Sequence, residues 1–277
     1  MGSTIEMRTS RDGTAQLRRV WPAAEPRAAL QLVHGIGEHS GRYEHAGDVF
    51  AALGIDVAAI DNRGCGESGG RRAHIDDFGT FLDDLEDQLS ERRELGVPVI
   101  LFGHSLGGLM TAAYLAQRRQ PAPDLAILSA PALAPAAPPW QRIAAAVLGR
   151  LAPRLFIRVA IPPEVLSRDE AVQRAYVEDP LMVSGATAGL ALQIFKTMKR
   201  TSAAYDRVEL PLYVLHGEAD RLVPIKASRP LAGRPNVTYR SWPNLRHECL
   251  NEPEREQVMA EISSWIDARL KALDAQA

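Results

Sequence analysis

Short apolar runs and amphipathic stretches alternate along most of this chain. "AALQLVHG" (28–35) predicts a buried strand, followed by a glycine-rich loop and a helix from about Tyr43. "IDVAAID" (55–61) predicts a second buried strand. In "FGTFLDDLEDQLSERREL" (78–95), Phe78, Phe81, Leu82, Leu85 and Leu89 share one helical face. The acids of that stretch fall on the other face, and Arg92 and Arg93 come at the end where the helix dipole favours cations. "VPVILF" (97–102) is a further strand with a helix from about Leu106, and "DLAILSAP" (124–131) another strand. The rhythm then breaks. From Pro131 to about Tyr205 no strand is predicted; "PALAPAAPP" cannot continue a helix, and "WQRIAAAVLGRLAPRLFIRV" (140–159) reads as an apolar helix with interspersed arginines. The rhythm returns with strands at "LPLYVLHGEAD" (210–220) and "NVTYRSW" (236–242) and a last amphipathic helix. Near-continuous apolar strands alternating with helices imply a mostly parallel sheet covered on both faces, with residues 131–205 inserted between two strands.

Composition narrows the function classes. Over 277 residues the formal net charge is −2 and no lysine or arginine run stands out, which argues against nucleic acid as the main partner. The two cysteines, Cys65 and Cys249, are too few for a disulfide framework and are not spaced as a zinc site. They read as free thiols in a reducing compartment. The N-terminus is polar and lacks a signal-peptide pattern, the myristoylation motif fails at Glu6, and no apolar run approaches a membrane span. The expectation is a cytoplasmic protein.

Candidate chemistry centres on "GHSLGG". Gly103-His104-Ser105-Leu106-Gly107 fits G-x-S-x-G between a strand and a helix, a turn so sharp that the flanking positions must be glycine. Ser105 is then held out at the C-terminal edge of the sheet as a nucleophile. A hydroxyl needs a base, and the base an orienting carboxylate, in the chain order Ser, acid, His. Asp220 follows a strand and begins a loop, with Glu218 as its neighbouring rival. Of the seven histidines only His216 and His247 follow Ser105, and His216 precedes the acid, so His247 is the candidate base. The oxyanion donors expected are the backbone N–H groups of Leu106 and of Ile36, in the loop after the first quoted strand. Such acyl transfer needs no metal or cofactor. "GCGESG" (64–69) fits a dinucleotide-binding fingerprint, but no helix start follows, so NAD binding is set aside and Arg63 and Glu67 read as solvated loop charges.

With these residues in place, the blocks "HGIGEHSGRY", "DNRGCGESGG", "GHSLGG", "SAP", "HGEADRLV" and "HECLNEP", spread over residues 34–253, resemble in order those of the monoacylglycerol lipase group of α/β-hydrolases. The resemblance implies the α/β-hydrolase fold with a core of residues 1–130 and 206–277 and a helical cap at 131–205. It implies a Ser105–His247–Asp220 triad and the Ile36 and Leu106 oxyanion pair. It puts Glu38 and Arg42 near a glycerol head group; a Glu–Arg pair that merely holds the loop is the equal alternative. The cap it implies has an apolar entrance that touches a membrane or micelle surface transiently, against the alternative of a helix packed on its own domain. Two positions depart from the pattern: Cys65 stands where histidine is frequent, and so does Leu250, three residues after His247. A monoacylglycerol ester is thus the expected substrate, with a general carboxylesterase or lysophospholipase as the alternative. A non-catalytic lipid-binding protein would be favoured by an incomplete triad, and all three members are present. The two thiols near the site suggest sensitivity to thiol reagents.

Overall fold

Successive side chains along each central strand feed two separate cores, which is why those strands read as unbroken apolar runs. The computed structural model describes residues 2–275. Its elements are β1 (Thr4–Thr9), β2 (Ala15–Trp21), β3 (Ala28–Val33), α1 (Glu44–Ala52), β4 (Ile55–Ile60), α2 (Gly79–Arg93), β5 (Val99–His104), α3 (Leu106–Ala116) and β6 (Leu125–Ser129). There follow α4 (Pro139–Leu151), β7 (Phe156–Arg158), α5 (Glu170–Glu178), β8 (Gly185–Thr187), α6 (Ala188–Ser202), β9 (Leu212–Gly217), β10 (Val237–Trp242) and α7 (Arg255–Asp274). In β5, Val99 and Leu101 join Leu85 and Leu89 of α2, Tyr114 of α3 and Leu190 of α6. Ile100 and Phe102, pointing the other way, join Phe50 of α1 and Ile262 and Ile266 of α7. A fully buried side chain of this size contributes roughly 1.5–3 kcal/mol, so the two faces together carry the fold.

The sheet order is β1-β2-β4-β3-β5-β6-β9-β10. From β4 to β10 all pairs are parallel; β1 and β2 pair antiparallel with each other, as do β2 and β4. The predicted mostly parallel sheet with helices on both faces is the one found. The β1–β2 hairpin went unpredicted. β1 is the sheet edge and almost wholly exposed, so charged residues at Glu6 and Arg8 replace the apolar signal of a buried strand.

Two charge assignments need correction. Arg63 is not a solvated loop charge: its guanidinium is largely buried and donates from Nε and Nη2 to both Asp84 oxygens at 2.6 Å each. Asp84 is accordingly an acid on the buried side of α2, not the outer one. Arg92 is buried as well and donates to Asp56 at 2.6 Å, so it pins α2 to β4 besides ending the helix.

The insertion between β6 and β9 is mainly helical, but it contains a two-stranded antiparallel sheet of β7 and β8 that the sequence pattern did not announce. The apolar helix expected over 140–159 stops at Leu151. Pro153 forbids the helical conformation to the residue before it, and Ala152 turns away at φ −140°, ψ 62°. The helix α6 returns to the core, adding Leu190, Ile194 and Met198 to the cluster beneath α3. Among the described residues no helix is long and apolar enough to cross a membrane.

Candidate active site

At the C-terminal ends of the parallel strands, β5 turns into α3 within one residue. Ser105 takes φ 52°, ψ −113°, a left-handed conformation costing about 1–3 kcal/mol that persists only where the surroundings impose it. The surroundings are backbone. A side chain at Gly107 would strike the Val33 and His34 carbonyls, and one at Gly103 would strike the Gly107 carbonyl and Thr111. The serine is further fixed by its N–H donating to Ser129 O at 3.0 Å and by its carbonyl accepting from Ala132 at 3.0 Å.

His247 lies in the loop after β10. Its Nδ1 is 2.7 Å from Asp220 Oδ2. Asp220 Oδ1 accepts the backbone N–H groups of Leu222 and Val223 at 2.8 Å each. His216 Nε2 sits 2.7 Å from Val223 O and 3.2 Å from Asp220 Oδ2, two acceptors, so this nitrogen carries the proton. Burial opposes the Asp220 charge, but His247, His216 and the Val223 N–H outweigh it and hold the carboxyl well below its usual range. Burial likewise opposes a charged His247, and the Asp220 carboxylate outweighs it, raising the imidazole above the ordinary value. Glu218, the rival acid, is exposed and bonded to Ser241 at 2.6 Å. Gly217 lets the end of β9 touch the histidine loop, since a side chain there would meet the Leu245 and Arg246 carbonyls.

Ser105, Ile36 and Leu106 line one apolar cleft. Ser105, Ile36, His247, Glu38 and Arg42 line an adjoining cavity of about 180 Å³, walled by Val159, Leu166 and Met182 of the insertion. The backbones are close: a Cβ on Gly35 would lie 3.1 Å from that of Ser105. His104 packs against His247, ring centroids 4.8 Å apart, and burial with His247 as neighbour pushes it down to about 4.

Glu38 and Arg42 are both in the cavity wall and hold the loop. Glu38 Oε1 accepts from Gly35 N–H at 2.5 Å and Tyr43 O–H at 2.8 Å, and Oε2 from Arg42 at 3.1 Å. Sequence reasoning missed the third member, Glu248, which takes the Arg42 guanidinium on both oxygens at 2.6 and 2.8 Å. Tyr176 was missed too; its ring stacks beneath Arg42 at 5.6 Å and lines the same cavity. An acid directly after the candidate base was the signal available for Glu248; Tyr176 gave none, because only the fold brings α5 to this loop.

The insertion is tied to both loops. Val183 N–H donates to Gly37 O at 2.8 Å, and His39 Nε2 is 2.7 Å from Asp179 Oδ2. Glu248 N–H donates to Leu166 O at 2.9 Å, while the fully buried Glu252 accepts the backbone N–H groups of Arg246 at 2.6 Å and Arg168 at 3.0 Å. The thiols are buried and form no disulfide; burial pushes Cys65 up to about 11 and Cys249 higher, away from the reactive thiolate form.

Residues 24–254 match the family described as serine aminopeptidase, S33. The chain is 37% identical over 264 residues to the monoacylglycerol lipase of Mycolicibacterium smegmatis, covering 91% of this chain and 92% of that protein. It is 30% identical over 254 residues to the phospholipase YtpA of Bacillus subtilis, covering 89% and 98%. The solved structure of the Paleococcus ferrophilus monoacylglycerol lipase superposes with a TM-score of 0.81 at 31% identity, over 95% of this chain and 99% of that one.

Proposed function

The chain belongs to the serine aminopeptidase S33 family and, among α/β-hydrolases, to the monoacylglycerol lipase family, and from that premise we propose that it hydrolyses monoacylglycerols to fatty acid and glycerol. The observation that carries the reading is a serine on a strained elbow sharing one cavity with an imidazole already bound to a buried carboxylate. His247 Nε2 takes the Ser105 proton as Oγ attacks the ester carbonyl. The N–H groups of Ile36 and Leu106 receive the oxyanion, each worth about 3–4 kcal/mol. As the tetrahedral intermediate collapses, the C–O bond to glycerol breaks and His247 returns the proton to the leaving oxygen. Water then repeats the sequence on the acyl-enzyme, and Asp220 stays ionised throughout. Glu38, Arg42 and Glu248 line the alcohol side, where a neutral polyol finds donors and acceptors.

A rate comparison on monoacylglycerols, lysophospholipids and simple alkyl esters of matched acyl length tests this. Preference for monoacylglycerols is expected. Preference for lysophospholipids would favour the alternative that the phospholipase relative suggests, and equal rates on simple esters would leave a general carboxylesterase.

The pH profile follows from the base. Only neutral His247 accepts a proton, so kcat/KM is expected to rise with pH through a midpoint above the ordinary histidine value of 6.5, while His104 stays neutral. Asp220→Asn is expected to move that midpoint down and to cost about 10⁴-fold in kcat. A profile flat down to acidic pH would contradict the assignment of His247.

The same reading makes residues 131–205 a cap over a core of 1–130 and 206–277. On α4, Trp140, Ile143, Val147 and Leu151 follow one helical face and are exposed, Leu151 by 79%. This stripe supports transient contact with a membrane or micelle surface on the cytoplasmic side, where two free cysteines remain reduced. Ile143→Glu with Leu151→Glu is expected to slow hydrolysis of emulsified substrate several-fold while sparing a dissolved short-chain ester. Equal losses on both would count against the contact.

A further inference from the structure

A second cavity, of about 540 Å³, opens between α4, α6 and the turns at 225–234, away from His247. Its floor is apolar, with Leu133, Phe195, Met198 and Tyr205, and the Tyr205 hydroxyl is buried without a hydrogen-bond partner. Four cations rim it: Arg142, Lys199, Lys226 and Arg234. No acid lines it. Among the described residues Arg142, Lys199 and Lys226 have no ion-pair partner, and Arg234 meets only the exposed Asp206, at 2.7 Å. In a chain of net charge −2 this is a local field of opposite sign.

The groove adjoins the cleft that holds Ser105, with four wall residues in common. The apolar cleft that begins at Ser105 and Leu106 is walled further along by Ala134, Pro135, Phe195 and Met198, and the same four residues line the groove. The two ends differ in charge. Around His247, the Glu38 and Glu248 carboxylates share one guanidinium, Arg42, while Asp220 is matched by His247, which leaves a surplus of acid. A newly formed fatty-acid carboxylate is repelled there and attracted to the rim.

We propose that this cationic groove binds the long-chain carboxylate released at Ser105, receiving it tail first along the apolar cleft. The inference rests on the hydrolytic reading for the origin of its ligand. An alkyl chain with one anionic head matches the groove in both parts: apolar floor for the chain, cations for the head. The head group of an anionic phospholipid shares the charge, but the passage from Ser105 favours the free acid.

Binding of decanoate and of 1-decanol to the hydrolysis-deficient Ser105→Ala protein, measured by calorimetry, tests this. Decanoate is expected to bind more tightly than decanol, and added Lys199→Glu and Lys226→Glu substitutions to weaken decanoate by about tenfold while leaving decanol unchanged. A thermal melt separates misfolding from lost binding, and Lys199→Gln with high salt provides a milder second perturbation, expected to weaken decanoate in the same direction. Decanoate binding that equals decanol binding, or that ignores both perturbations, would overturn the proposal. So would a variant that loses affinity for phosphatidylglycerol vesicles and keeps it for decanoate. Failure of the hydrolytic reading would instead appear in the wild-type rate series, which this binding assay does not use.

Discussion

Replacing Ser105 by Ala is expected to lower kcat for ester hydrolysis by about 10⁶-fold and leave the fold intact. The two halves of this expectation have separate causes. The rate loss follows because in the proposed mechanism the hydroxyl is the atom that becomes acylated, and neither buried thiol is placed to replace it. What survives is the residual catalysis of an oxyanion site and bound water. The intact fold follows because Ser105 Oγ makes no hydrogen bond within the described residues, so its removal orphans nothing, and alanine keeps the Cβ that already tolerates φ 52°. Initial rates on a monoacylglycerol and a thermal melt check both halves. A variant that keeps even a hundredth of the wild-type rate would remove Ser105 from the mechanism; one that melts far lower would make it a structural residue.

Arg42→Ala is expected to destabilise the protein by about 3–5 kcal/mol, a fall on the order of 10 °C in Tm. Its guanidinium bridges Glu38 and Glu248, and all three side chains are at least nine-tenths buried. Removing the cation leaves two carboxylates, each more than nine-tenths buried, without it. The wild-type sign is set by Glu38: burial opposes its charge, but Arg42 and the neighbouring histidines outweigh burial and hold it down to about 2. Its stabilisation is therefore present above the ordinary carboxyl range and is lost only as pH falls toward 2. Without Arg42 the burial weighs more on Glu38, its carboxyl moves toward the neutral form, and the variant should recover part of its deficit as pH falls from about 7.5 to about 5. Adding Glu248→Gln should recover part of it at neutral pH. Melts across this range decide the matter, and a variant within about 1 kcal/mol of wild type at neutral pH would show that the cluster carries little energy.

The legible parts of the molecule were those whose physics is local or doubly periodic. Strands β3 to β6 are buried on both faces, so apolarity alone marked them; β1, at the edge, carries charge and stayed invisible. The elbow was legible because Gly103 and Gly107 answer to one steric demand. Asp220 and His247 were found by chain order, without a view of the 2.7 Å contact that joins them. Long-range charge was illegible. Arg63 with Asp84, 21 residues apart, and Arg42 with Glu248, 206 apart, are pairs that only the completed fold creates. Tyr176 beneath Arg42 belongs to the same class, and so does the short β7–β8 sheet, whose three-residue strands are too brief to show a period.

The hydrogen bonds between the insertion and the two loops bear on which parts of this molecule are interchangeable. Glu252 grips Arg168 and the histidine loop together, and Val183 grips the Gly37 carbonyl. A chimera taking residues 131–205 whole from a relative would therefore inherit foreign footings for both the His247 loop and the Ile36–Gly37 loop. The helix α4 stands apart: it rests on α6 chiefly by packing, with Gly149 closed down on Leu192 and the Ala188 carbonyl. The natural unit of exchange is the outer face of that helix, a module shorter than the insertion itself, through which surface preference is open to redesign while the loop before it keeps its Ala132 hold on Ser105.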